Sequence, residues 1–127
     1  MKKLTKAEEQ IMQVLWGLEK GFVNDIVSRL TEPKPAYNTV STIVRILEQK
    51  GFVAHKAYGR THEYYPLVQK EVYSREYLNN FTRNYFSNSY KALASFFANS
   101  ENLSIRELEE IKLLVEEQIK NHKKQKP

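Results

Sequence analysis

The sequence predicts a mainly α protein carrying one small β-hairpin, and three observations predict it. Two capping boxes, Thr5 with Glu8 and Ser104 with Glu107, each precede apolar residues at helical spacing. A third apolar stripe, Val40, Ile43, Val44 and Leu47, falls at i, i+3, i+4 and i+7. After it come two short segments of strand composition, 52–57 and 62–67, separated by Tyr58, Gly59, Arg60 and Thr61, the pattern of a hairpin with a glycine-containing turn.

The first helix is expected over 6–16, with Ile11, Met12, Val14 and Leu15 on its inner face and Gly17 and Gly21 as terminators. Asn24 is placed to cap a short second helix whose inner face is Ile26, Val27 and Leu30. Pro33 and Pro35 must end it, because proline lacks the amide donor and pushes the residue before it out of helical geometry. The third helix starts near Tyr37 or Asn38 and stops at Lys50, with Gly51 where a left-handed cap is wanted. Helix, helix, helix, hairpin is the order of a winged helix-turn-helix, here expected over 1–68.

From 69 to 127 the composition predicts a helical dimerisation region. Tyr77, Phe81, Tyr85, Phe86, Leu93, Phe96 and Phe97 recur at mixed threes and fours, as on one long helix bending near Asn88. The final helix follows Ser104, carries Leu108, Ile111 and Val115 on its stripe, and passes into a basic tail from Lys120 expected to fray. So wide an apolar stripe needs a partner helix, and a second copy of the chain supplies one.

Composition narrows the function. The chain has no cysteine, which removes disulfides, thiolate catalysis and cysteine-based metal sites. No apolar run is long enough to span a bilayer and no signal-peptide core follows Lys2 and Lys3, so a cytoplasmic location without membrane insertion is expected. No phosphate-binding glycine loop, nucleophile–base pairing or paired catalytic carboxylates stand out, so neither an enzyme nor a cofactor is expected. His55 and His62 face each other across the hairpin but lack a third ligand, and no metal site is expected.

The net charge of +5 suits an anionic partner, and Arg29, Lys34, Arg45, Lys50, Lys56 and Arg60 outnumber Glu32 and Glu48 between 29 and 60. The third helix presents Asn38, Thr39, Ser41, Thr42 and Arg45. These are short polar side chains that let a backbone approach base edges, followed by an arginine for directional hydrogen bonds. Lys56 and Arg60 on the hairpin are placed for phosphate or the minor groove. Double-stranded DNA is therefore the expected partner. The alternative is a winged-helix module that binds protein, although such an interface would favour aromatic anchors on the third helix.

Several segments together resemble the penicillinase-repressor family of the BlaI/MecI type. They are Leu4-Thr5-Lys6-Ala7-Glu8, Ile11-Met12-Gln13-Val14-Leu15-Trp16, Tyr37-Asn38-Thr39-Val40-Ser41-Thr42, Leu47-Glu48-Gln49-Lys50-Gly51-Phe52-Val53, and Gly59-Arg60 before Tyr64-Tyr65-Pro66. The resemblance implies a dimeric repressor of inverted-repeat operators, commonly those of β-lactam resistance genes. It implies inactivation by proteolysis downstream of a membrane sensor metalloprotease, at a cut that maps near Phe96 and Phe97. Where the best-known members have Asn before Phe, this chain has Phe96 before Phe97. Copper-responsive relatives use a C-terminal cysteine motif, which this chain lacks.

Overall fold

The computed structural model describes residues 1–100 and 102–125. Two compact units divide the chain, Met1–Leu78 and Asn79–Pro127. The first holds α1 (Lys6–Leu18), α2 (Val23–Arg29), α3 (Tyr37–Gln49), an antiparallel hairpin of β1 (Val53–Tyr58) and β2 (Thr61–Pro66), and the beginning of α4 (Lys70–Tyr85). The second holds the end of α4, then α5 (Tyr90–Ala98) and α6 (Ile105–Gln125).

Helix α1 starts where its capping box demands: the Thr5 hydroxyl accepts the Glu8 amide at 3.2 Å, and the Glu8 carboxylate accepts the Thr5 amide at 2.7 Å. It runs past the expected end at Trp16, with Gly17 inside it. Glu19 closes it instead, at φ +70° with its amide on the Leu15 carbonyl. The other proposed terminator, Gly21, exchanges two backbone hydrogen bonds with Tyr64 and so ties the α1–α2 connection to the hairpin. Helix α2 is capped two residues earlier than expected, at Phe22. Its first residue is Val23, and the Asp25 carboxylate, not Asn24, takes the free amide of Phe22 at 2.9 Å.

Helix α3 buries Val40, Val44 and Leu47 completely and packs Ile43 against the same core, so the period of its apolar residues sets its orientation. Gly51, at φ +83°, turns the chain from α3 into Phe52 and β1. The core joins these residues to Leu4, Ile11, Met12 and Leu15 from the α1 side, Val23 and Ile26 from α2, and Phe52, Val53 and Tyr64 from the hairpin. The hairpin loop is shorter than expected: Tyr58 pairs with Thr61, leaving Gly59 and Arg60 as a two-residue turn. Gly59 sits at φ +63°, the positive angle that such a turn needs at its first position.

The base of α4 is part of the first unit. The Trp16 indole donates to the Val68 carbonyl at 2.9 Å, and the Tyr73 hydroxyl donates to the Glu9 carboxylate at 2.7 Å. Burial, with the Glu9 carboxylate beside it, pushes the Tyr73 phenol well above its ordinary pKa. In the second unit the expected single long helix is two. Ser87 and Asn88 adopt positive φ, 50° and 61°, which an α-helix cannot carry, and the Ser89 hydroxyl then accepts the Ala92 amide to start α5. The basic C-terminal segment expected to fray is helical through Gln125, and the rest of it lies outside the described residues.

One ion pair inside the first unit gives a direct test. Lys50 Nζ donates to Glu8 Oε1 at 2.8 Å, and Glu8 is only 4% exposed. Burial alone would raise the Glu8 pKa, but the Lys50 ammonium and the Thr5 hydrogen bonds bring it below the ordinary value. A carboxyl with a depressed folded pKa contributes stability above its unfolded pKa, and that contribution is lost as pH falls through the folded value. Lys50→Met is expected to cost about 1–3 kcal/mol at neutral pH, because it strands the Glu8 carboxylate, and less in acid where Glu8 is protonated. Urea unfolding at neutral and acidic pH measures both, and an equal loss at the two would show that the Glu8 charge has no part in it.

Candidate nucleic-acid interface

A concave face lies between α2, α3 and the hairpin. Asn38, Ser41 and Arg45 line it from α3, with Arg60, Thr61, His62 and Tyr64 from the hairpin and Phe22 to Asp25 from the start of α2. Asn38, Ser41 and Arg45 share it because residues three and four apart stack on one side of a helix, opposite the stripe that α3 buries. Arg45 Nη2 donates to Ser41 Oγ at 3.0 Å, which draws the guanidinium back along α3 and leaves its other N–H groups free to point outward. Thr42, exposed on the same side, donates its hydroxyl to the Asn38 carbonyl at 2.9 Å, so it offers an incoming group only acceptor capacity.

Of the seven residues expected to contact DNA, four gather at this concavity: Asn38, Ser41, Arg45 and Arg60. Thr42 flanks it on α3. Thr39 turns the other way, into a cleft with Gln10 and Gln13 of α1 and with Pro33 and Pro35, because one residue along a helix is about 100° of rotation. Lys56 stands over the Tyr58 ring, 5.2 Å from its centroid, and is absent from the residues lining the concavity.

The basic cluster read from sequence is reduced by two internal partnerships. Lys34 Nζ donates to the Ser28 and Leu30 carbonyls, both at 2.8 Å, and to the Val27 carbonyl at 3.3 Å. It therefore neutralises the negative end of α2. Lys50 serves Glu8. The charged side chains that line the concave face are Arg45 and Arg60, with the Asp25 carboxylate at the start of α2. Tyr37, Thr61 and His62 line the same face and were not expected there. The signal for His62 and Tyr64 was the period of two along β2, which places alternate residues on one side of a strand. For Tyr64, burial and the nearby Glu48 carboxylate raise the phenol pKa, with Arg45 acting against them.

In the second unit, Phe81, Tyr85, Phe86 and Phe96 form a chain of ring contacts: centroids lie 5.0 Å apart for Phe81–Tyr85, 5.7 Å for Phe81–Phe86 and 5.4 Å for Phe86–Phe96. Tyr77 belongs to the first unit, with its ring 6.4 Å from that of Tyr73. Phe96 remains 70% exposed, and Phe97 is also open to solvent in the last turn of α5. On α6, Leu108 and Ile111 are half-buried while Leu114, Val115 and Ile119 are exposed and line a shallow apolar cleft. Among the described residues no group of three His, Cys, Asp or Glu is arranged to hold a metal, and no described helix is long and apolar enough to cross a membrane.

The family model described as "Penicillinase repressor" matches residues 4–117. The chain belongs to the penicillinase repressor family. As a repressor it belongs with regulators, not enzymes. The repressor is 25% identical over 111 residues to the methicillin resistance regulatory protein MecI of Staphylococcus aureus (strain N315), covering 87% of this chain and 90% of MecI. It is 26% identical over 124 residues to the penicillinase repressor of Bacillus licheniformis, covering 97% and 96% of the two chains. The solved DNA-binding domain of the repressor BlaI aligns with 57% of this chain and 94% of its own at 27% identity, with a TM-score of 0.49.

Proposed function

We propose that this repressor binds an inverted-repeat operator as a homodimer, each winged domain placing α3 in the major groove and the Gly59–Arg60 turn against the adjacent backbone. The observation that carries this reading is the convergence of Asn38, Ser41 and Arg45 of α3 with Arg60 of the hairpin on one concave face. A short polar surface with one held arginine suits base edges, and a second arginine at its rim suits phosphate. The second unit supplies the dimer seam through Leu108, Ile111 and Val115 of α6 together with the aromatic residues of α4 and α5, and the protein works in the cytoplasm.

The regulated genes belong to the response to β-lactams, in keeping with the names of the relatives. Repression ends when a protease controlled by a membrane sensor metalloprotease cuts near Phe96 and Phe97. Both residues lie in the last turn of α5, where few hydrogen bonds must open before a protease cleft can admit the chain.

Capture of genomic fragments on the full-length protein, followed by sequencing, tests the reading. Recovery of one palindromic motif supports it, and recovery of no motif from the folded protein overturns it in favour of a protein partner. On the recovered site, Arg45→Ala is expected to weaken specific binding by about 1–3 kcal/mol and to affect random DNA less. Equal losses on the two, measured by fluorescence titration, would move Arg45 from a base to a phosphate.

A further inference from the structure

His62 is half-buried in the concave face that carries Arg45 and Arg60. Its ring stacks on that of His55 in β1, with centroids 4.1 Å apart and planes 8° from parallel. His55 Nδ1 lies 2.7 Å from Oε2 of Glu48 on α3. The series His62, His55, Glu48 therefore joins the hairpin to α3.

Two imidazoles stacked this closely disfavour charge on both unless each has a counter-ion. Glu48 serves His55, whereas among the described residues no carboxylate lies within ion-pair distance of His62. The titratable and charged groups around it are Arg45 and Tyr37 from α3, Arg60 from the turn, His55 from β1, Tyr64 from β2, and Asp25 from α2. The Asp25 carboxylate already accepts the Phe22 amide. The concavity thus holds two guanidinium groups and one carboxylate, and a docked phosphate backbone would add negative charge to it.

We propose that His62 is a DNA contact that takes up a proton when the concave face meets the duplex, with the Glu48–His55 pair positioning its ring. This rests on the DNA-binding reading above. Histidine is the side chain whose ordinary pKa, about 6.5, lets it change charge near neutral pH. A group whose pKa is higher in the complex than in the free protein makes binding tighter as pH falls. One histidine whose pKa rises by about 0.5–1 on binding tightens it by about three- to tenfold.

The test uses the full-length chain and a duplex carrying the sequence that the chain enriches from a random library. Calorimetric titration near neutral pH, in two buffers of different ionisation heat, counts the protons taken up, and the Kd is followed from about pH 8 to about pH 6. The expected result is net proton uptake and a Kd about two- to sixfold tighter at the acid end, the part of the full gain that falls between those two pH values. His62→Gln, which keeps hydrogen-bonding capacity but cannot carry charge, is expected to abolish both the proton uptake and the pH dependence of the Kd, whatever its affinity at the alkaline end. Uptake that survives His62→Gln and disappears in His55→Gln overturns the proposal, as does wild-type binding that ignores pH. A library from which the folded chain enriches nothing at either pH fails the DNA-binding reading itself, and the proposal with it.

Discussion

Phe52→Ala is expected to lower the unfolding free energy by about 3–5 kcal/mol, the range for truncating a fully buried phenylalanine. Phe52 is 1% exposed and directly follows the Gly51 turn that ends α3. Its carbonyl accepts the Leu67 and Val68 amides at 2.8 and 3.3 Å, and its ring meets Tyr73 nearly edge-on with centroids 5.9 Å apart. One residue therefore joins the end of α3, the start of the hairpin and the base of α4, and its ring carries the contact with Tyr73 that the substitution removes. Small domains have only about 5–15 kcal/mol in total, so the variant should lie close to unfolding at ordinary temperature. Urea denaturation measures the loss, and amide exchange should show the first turns of α4 opening more readily than α1. A loss under about 1 kcal/mol would mean that neighbouring side chains collapse into the space left by the ring.

The winged unit was largely legible in the sequence because its signals are local and periodic. The Thr5–Glu8 box and the Val40, Val44, Leu47 stripe each involve residues within two or three helical turns, and both appear as read. The misreadings occurred where a tertiary contact or a backbone angle decides. Gly17 resembles a helix terminator, but α1 continues through it and ends at Glu19, whose left-handed angle no composition rule anticipates. Likewise, the aromatic residues after 69 hide a break, because the apolar spacing runs on past Ser87 and Asn88 while the backbone does not.

The candidate site was legible as a helix face and less so as a surface. Rotation around α3 predicts which of its residues lie together, and Asn38, Ser41 and Arg45 do. Charge counting was a poorer guide, because Lys34 and Lys50 have internal partners that only the folded chain reveals. The period of two along β2 puts His62 and Tyr64 on one side of the strand, but only the hairpin register, which pairs His62 with Ala57, shows which residues of β1 share that side.

Val115→Glu combined with Ile119→Glu is expected to convert the repressor to monomers and to weaken operator binding by about 10²–10⁴-fold, the advantage gained when linkage makes the second contact intramolecular. Both side chains are exposed on α6, 51% and 49%, so the charges enter no core of the chain itself. They stand one helical turn apart, beside Leu114, and line its shallow apolar cleft. Fully burying each such side chain against a second copy contributes about 1.5–3 kcal/mol, and a carboxylate in its place must be desolvated without a partner. The winged unit has its own core, from Leu4 to Tyr64, so its circular dichroism and its weak binding to a single half-site should persist. Sedimentation and operator titration read the two consequences separately. A doubly substituted chain that stays dimeric and binds as tightly as the original would place the seam elsewhere, with the exposed rings of Tyr85 and Phe96 the next surface to test.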